Sequence, residues 1–246
     1  MDWWQTFFDD TYLKMYRDTT PTERTEREIR GILAMLNLPA GASVLDLCCG
    51  QGRHCVRLAQ AGMKVTGFDL SPHLLAAARR SAEAAGVDLT LVEGDMRNIP
   101  FQGEFDAIVN LFTAFGYFDD TQNQGVLHGA ARALKPGGQF LIDVPNVYFI
   151  NARYTEKIWF ESDLGPVMQE HTWDPWTGRD RSVFYWTENS ERRTRSFDVR
   201  SYTSYEMIAM LRLAGLAPVK LYGRFDMSDY RCQDSQRLIV LAKKDG

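Results

Sequence analysis

The chain lacks any apolar run of the roughly 20 residues that a membrane-spanning helix needs,. Its first residues, Met1-Asp2-Trp3-Trp4, carry no basic stretch ahead of an apolar core, so no signal peptide is expected and the expected location is cytoplasmic,. It also lacks a basic excess: 28 Lys and Arg stand against 32 Asp and Glu, for a net charge of −4. Proteins that grip nucleic acid neutralise phosphates with a basic surface. The densest basic stretch here, Arg192-Arg193-Thr194-Arg195, is flanked by Glu188, Glu191 and Asp198 and reads as a solvated strand face,. Neither a nucleic-acid nor a membrane partner is therefore expected. Cysteine is scarce, with four residues at 48, 49, 55 and 232. Adjacent Cys48 and Cys49 do not have metal-knuckle spacing, so packed, reduced thiols and no bound metal are expected. Internal repeats and low-complexity segments are missing too.

What is present suits a globular core. The 246 residues are 45% hydrophobic and 24% charged, enough for one large domain or one domain with an elaborated cap,. Trp3 to Tyr16 is aromatic-rich, with Trp4, Phe8, Tyr12 and Met15 on one face of an expected docked helix. Thr20-Pro21-Thr22-Glu23 reads as a capping box that opens the next helix. Strand and helix patterns then alternate: strands at 43–47, 64–69, 89–92, 105–110 and 139–144, with helices at 53–61, 71–85 and 120–134 between them. Such alternation implies a parallel sheet covered by helices on both faces. After Pro145 the pattern changes to short strands at 159–160, 167–173, 182–187 and 194–201, with turn signals between them, an antiparallel meander inserted after strand 5. A helix at 205–214, capped by Ser204, and strands at 216–222 and 237–242 close the chain. The expected organisation is N-terminal helices or a lid over 1–40, a core domain over 41–146 and 202–246, and a β insertion forming a cap over 147–201.

The richest stretch is Val44-Leu45-Asp46-Leu47-Cys48-Cys49-Gly50-Gln51-Gly52-Arg53-His54. An apolar strand ends on an acid, two glycines follow, and a helix begins at once. Glycines there permit a tight turn and close ligand approach, and the helix start offers free N–H groups to an anion. Asp69 ends strand 2, where a carboxylate accepts hydrogen bonds from ribose hydroxyls or serves as a helix cap. Asp95 and Met96 follow strand 3 at the same sheet edge, where they suit an exocyclic amine and a ring face, or a turn and a core. A dinucleotide fingerprint is incomplete, because Cys55 occupies the place of its third glycine.

Together, Val44–Arg53, Gly67-Phe68-Asp69-Leu70-Ser71, Glu93-Gly94-Asp95-Met96, Phe105-Asp106-Ala107-Ile108-Val109 and Leu134-Lys135-Pro136-Gly137-Gly138 resemble, in order and spacing, the successive motifs of class I S-adenosylmethionine-dependent methyltransferases. The resemblance covers about residues 40–145, and the helix–strand–strand close is similar as well. It implies an α/β fold: a doubly wound, Rossmann-like, seven-stranded sheet whose last strand is antiparallel. It implies S-adenosyl-L-methionine as cofactor, with Asp46, Gly50 and Gly52 framing the methionine half and Asp69, with Leu70 beside it, holding the ribose. Asp95 and Met96 would flank the adenine, and Asn110 and Leu111 would lie near the methyl group. Cys48 departs from the pattern, since the family often has its first glycine there.

Transfer to nitrogen needs mainly alignment and a neutral amine, whereas oxygen more often needs a general base. The candidates for that base are His54, Tyr117, His171 and Asp143; His128 sits in a helix and reads as structural. Nucleic-acid base methyltransferases often carry Asn-Pro-Pro-Tyr or Asp-Pro-Pro-Tyr after strand 4, and this chain has Asn110-Leu111-Phe112-Thr113 instead. That points to a small-molecule acceptor. Trp159, His171, Trp173, Tyr185, Trp186 and Arg200 of the insertion either surround that acceptor or pack a small sheet, and Tyr12 and Tyr16 either join a lid or dock a helix. The alternatives are a non-catalytic module that binds S-adenosylmethionine and an RNA methyltransferase. The chain is expected to be a monomer or a homodimer.

Overall fold

The computed structural model describes residues 2–17 and 20–245. Strand period 2 builds its centre. In β1 (Ser43–Leu47), Leu45 and Leu47 face one core cluster and Val44 faces the other. Ile108 in β4 (Phe105–Asn110) and Phe140 and Ile142 in β5 (Leu134–Pro145) join Leu45, while Ala107, Val109 and Leu141 join Val44. A strand apolar on both faces belongs inside a sheet covered twice. The two coverings are α6 (Asp120–Ala133) with α8 (Ser204–Leu213), and α3 (Thr22–Leu36) with α4 (Arg53–Gln60).

The sheet has seven strands in the order β10-β11-β5-β4-β1-β2-β3. Here β2 is Lys64–Asp69, β3 Thr90–Glu93, β10 Leu216–Tyr222 and β11 Arg237–Lys244. β11 runs antiparallel to both of its neighbours, and the pairings among β1 to β5 are parallel. The order reverses between β1 and β4. The carboxyl edge at that switch point is where open α/β sheets bind ligands. The fold class read from the sequence is thus the one observed.

A second, four-stranded antiparallel sheet holds β6 (Lys157–Ser162), β7 (Gly165–Asp174), β8 (Arg179–Glu188) and β9 (Glu191–Arg200). Its inner face buries Val167, Phe184 and Trp186 against Phe7 of α1 (Trp4–Phe7) and Met15 of α2 (Asp10–Tyr16). Each large apolar side chain buried this way contributes about 1.5–3 kcal/mol. The second sheet meets the loop after β4, where Arg179 Nη1 donates to Phe118 O at 2.9 Å and Arg200 N donates to Gly116 O at 2.8 Å.

Several local expectations need correction. The N-terminal helix is two helices, broken at Phe8, because the Asp9 carboxylate caps a new start by accepting from Thr11 N and Tyr12 N. Thr20 forms no capping box: Pro21 is the N-cap of α3 and the Thr20 hydroxyl donates to Tyr16 O. Thr203, not Ser204, caps α8, through a reciprocal pair with Glu206,. β5 starts at Leu134, so Lys135-Pro136-Gly137-Gly138 lies inside the strand, beside a register shift between Phe105 and Ala107. A helix absent from the sequence reading, α7 (Val147–Ala152), is capped by Asn146. Among the described residues, no helix is long and apolar enough to cross a membrane.

Candidate active site

The carboxyl ends of β1, β2, β3 and β4 open into one cleft of about 980 Å³, its open mouth included. Asp46, Gly50, Asp69, Leu70, Asp95, Met96 and Leu111 all line it, as do His54 and Tyr117. The fold therefore brings these positions, from four strand ends and their loops, to one place.

Two other expected donor residues stand behind the wall. Gly52 is in the left-handed region (φ +76), and a Cβ on it would lie 2.8 Å from the Ala78 Cβ. Its missing side chain lets α4 close on α5 (Pro72–Ala85) rather than admitting a ligand. Around Gly50 the nearest atom to such a Cβ is Leu74 Cδ1 at 3.8 Å, which leaves the space to the cleft. Asn110 is buried; its amide donates to Leu47 O and Ala114 O and thereby ties β1 to the loop after β4. His171 is not among the lining residues. Its Nδ1 sits 3.3 Å from an Asp180 carboxylate oxygen and 3.0 Å from Ser182 Oγ, within the second sheet.

Backbone geometry at the first loop is demanding. Cys48 takes φ +65, the conformation a glycine would adopt without strain,. Its N–H donates to Phe68 O at 2.7 Å and its thiol points at Met96 Sδ, 3.4 Å away. Asp69 ties the next turn, accepting from Gly50 N at 2.8 Å and Ser71 N at 2.9 Å. Burial outweighs these two hydrogen bonds and pushes the Asp69 pKa up to about 6. Asp46 is also raised by burial, and it accepts the Cys55 thiol at 3.2 Å. Asp95 is different: burial opposes its charge, but the bidentate Arg97 guanidinium wins and lowers its pKa,.

Sequence reasoning missed a charged network on the opposite wall. Glu28 of α3, 6% exposed, receives Arg24 Nε at 2.8 Å, His54 Nε2 at 2.9 Å and Arg53 Nη1. Burial alone would raise the Glu28 pKa, but the hydrogen bonds and charges of His54, Arg53 and Arg24 take it well below the usual carboxylate range. Arg53 lies 5.0 Å from the centre of the Phe112 ring, and its Nη2 is buried without a hydrogen-bond partner among the described residues. Arg53 is among the cleft's lining residues, and this nitrogen has donor capacity to spare,.

The roof comes from the N-terminal helices. Trp4, Phe8, Tyr12, Leu13 and Tyr16 line the cleft, and no described residue of β6–β9 does. Of the insertion's aromatics, Trp159 is 70% exposed and Trp186 is buried against the roof helices. The second sheet thus holds the roof from behind. Arg195 of β9 grips the Asp9 carboxylate with two nitrogens at 2.6 and 2.8 Å and donates to Phe7 O, and Ser71 Oγ donates to Phe8 O at 2.6 Å. Arg195→Ala is expected to raise amide exchange across residues 3–16 by about tenfold, the loss of a charged hydrogen-bond pair. Unchanged exchange there would mean that the apolar contacts alone hold the roof.

A family model for a methyltransferase domain matches residues 44–138. The putative methyltransferase YqeM of Bacillus subtilis is 30% identical over 85% of this chain and 86% of its own length. The chain belongs to the class I S-adenosylmethionine-dependent methyltransferases. It is also similar to a cypemycin N-terminal methyltransferase of a Streptomyces species, 28% identical over 83% of this chain and 84% of that one. In fold it matches the crystal structure of an S-adenosylmethionine-dependent methyltransferase from Clostridium acetobutylicum, with a TM-score of 0.80, 19% identity and coverage of 96% and 97% of the two chains. This methyltransferase therefore uses S-adenosylmethionine as its donor.

Proposed function

We propose that this methyltransferase moves a methyl group to a nitrogen of a small molecule. The observation that carries the choice of atom is the state of the candidate bases. His54 Nε2 is spent on Glu28. The two Asp143 carboxylate oxygens are taken by Phe112 N and Arg237 Nε. Burial pushes the Tyr117 hydroxyl well above its ordinary pKa and the Tyr12 hydroxyl up to about 12. Of the candidate bases, Asp143 has both oxygens engaged and Tyr117 stays protonated, which suits an acceptor that arrives as a free amine, whose lone pair needs only desolvation,. The likeness to a methyltransferase named for an N-terminus supports the same atom.

The cleft fits the donor group by group. Arg53 Nη2, buried and with no hydrogen-bond partner among the described residues, would receive the methionine carboxylate beside Gly50 and the start of α4,. Asp69 would accept the ribose hydroxyls, and Met96 and Leu70 would pack against the adenine with Asp95 at its edge. When bound, the sulfonium supplies an electrophilic methyl group, and the protein's share of the work is alignment and exclusion of water. Leu111, Phe112, Tyr117 and Phe118 form the apolar wall that does this, under the roof of Trp4 and Phe8.

Turnover with a panel of amines and phenols, read as S-adenosylhomocysteine formed, tests the proposal. Methylated amines are the expected product. Methylation confined to phenols would overturn the choice of nitrogen, and donor binding without turnover on any panel member would favour a sensing module. Retention of RNA at low salt that weakens steeply as salt rises would favour the RNA reading.

A further inference from the structure

We propose that Asp143, anchored by Arg237, is a positioning residue that holds Phe112 and Thr113 in a strained backbone and so shapes the wall beside the transferred methyl group. The proposal rests on the reading above that the loop after β4 flanks that group.

Phe112 (φ +59) and Thr113 (φ +66) are consecutive left-handed residues, and neither is glycine or asparagine. For a β-branched residue that conformation is a genuine outlier. Such strain persists only where the surroundings over-determine it, and it gathers at functional sites. Here the surroundings are specific. Phe112 N donates to Asp143 Oδ2 at 3.0 Å, and Thr113 N donates to Asp143 O at 3.2 Å. One residue of β5 therefore takes both strained amides. Asp143 is 3% exposed, and its second oxygen accepts Arg237 Nε at 2.7 Å. Arg237, reaching across from β11, also donates through Nη2 to Thr113 Oγ1 at 3.0 Å and to Asp143 O at 3.1 Å.

The same guanidinium thus fixes the carboxylate and the loop together. At the other end of the loop the Asn110 amide holds Ala114 O. The outcome is a fixed place for Phe112, whose ring meets the Arg53 and Arg24 guanidinium carbons at 5.0 and 5.2 Å. Asp143 therefore acts through Phe112, not as a base. A glycine pair would adopt this backbone freely but would hold it less firmly, because glycine has more conformational freedom to lose.

The test reads the loop and the methyl environment separately. Amide exchange in the ligand-free protein is expected to be slow at Phe112 and Thr113 and, in Asp143→Ala, at least about tenfold faster at Phe112, whose N–H loses a hydrogen bond to a charged acceptor, while Thr113 N keeps its main-chain acceptor and speeds up only as the loop loosens,. Equal exchange in both proteins would overturn the proposal. With S-adenosylmethionine carrying an isotopically labelled methyl group, the bound methyl resonance is expected to move toward its free position in Asp143→Ala. Adding Thr113→Gly, which relieves the strain, is expected to return it part of the way. A resonance that does not move would overturn the proposal. If Asp143→Ala does not fold, Asp143→Asn, which keeps one acceptor oxygen, decides through the same two readouts, with intermediate shifts expected and unchanged ones overturning it. A wild type that shows slow exchange but binds no donor would count against the donor-site reading and leave the loop device standing.

Discussion

Replacing Glu28 with alanine is expected to destabilise the protein by about 3–5 kcal/mol, the usual cost of removing one partner from a buried ion pair. The remaining side chains explain the size. Arg53 and His54 are 15% and 6% exposed, and both give hydrogen bonds to this one carboxylate. Without it a guanidinium stays buried with Thr25 Oγ1 as its remaining hydrogen-bond partner among the described residues. Arg53 is also the proposed grip on the donor's carboxylate, so donor affinity should fall together with stability. Denaturant unfolding of Glu28→Ala, Glu28→Gln and wild type measures the first effect. A loss under about 1 kcal/mol would show the network to be incidental. The pH dependence has a defined sign. The folded-state pKa of Glu28 lies below its unfolded value of about 4.3,. The stabilisation is therefore fully present above that value and is lost as pH falls below it toward the folded pKa. The gap between wild type and Glu28→Ala should be flat near neutrality and should close in acid.

The sequence made the donor edge readable because each acid or glycine there follows directly on its own strand. Asp46, Asp69, Asp95 and Leu111 come from four strand ends, and a parallel sheet gathers strand ends at one edge regardless of what lies between them. Glu28 gave no such signal. In a helix with Arg24 four residues before it, it reads as one half of a solvated i,i+4 pair, and its burial depends on Arg53 and His54 arriving from another helix. Gly52 was legible as a glycine position, but its reason was not, because Ala78 is distant in sequence. The aromatic pattern of the first 16 residues was visible, and the side it would face was not: Trp4, Phe8 and Tyr12 turn to the cleft while Met15 turns to the second sheet. That division follows from the break at Asp9, which Arg195 fixes from the far side of the chain. The strain at Phe112 and Thr113 was hidden for a related reason, since nothing in Leu-Phe-Thr-Ala announces positive φ without Asp143 and Arg237 beside it.

Asp69→Ala is expected to weaken S-adenosylmethionine binding by two to four orders of magnitude. Two ribose hydroxyls donating to a charged acceptor are together worth about 3–6 kcal/mol. The same change frees Gly50 N and Ser71 N, so the loop that forms the cleft also loses its tie to β2. The pKa gives a second, independent signature. Asp69 titrates near 6 in the folded protein against about 3.9 unfolded,. A carboxylate raised in this way penalises the folded state above pH 6, and that penalty disappears as pH falls through 6 toward 3.9, the opposite sense to Glu28. If Asp69 holds the ribose as proposed, donor binding selects the ionised form, whose two oxygens both accept. Affinity should therefore be level above about pH 6 and fall by up to about tenfold per pH unit below it. Calorimetric titration of wild type at pH 5 and pH 8 should show that difference, and Asp69→Ala should bind weakly and without this pH dependence. Equal wild-type affinities at the two pH values would remove the ribose from Asp69. In that event its carboxylate would remain only as the clasp between Gly50 and Ser71.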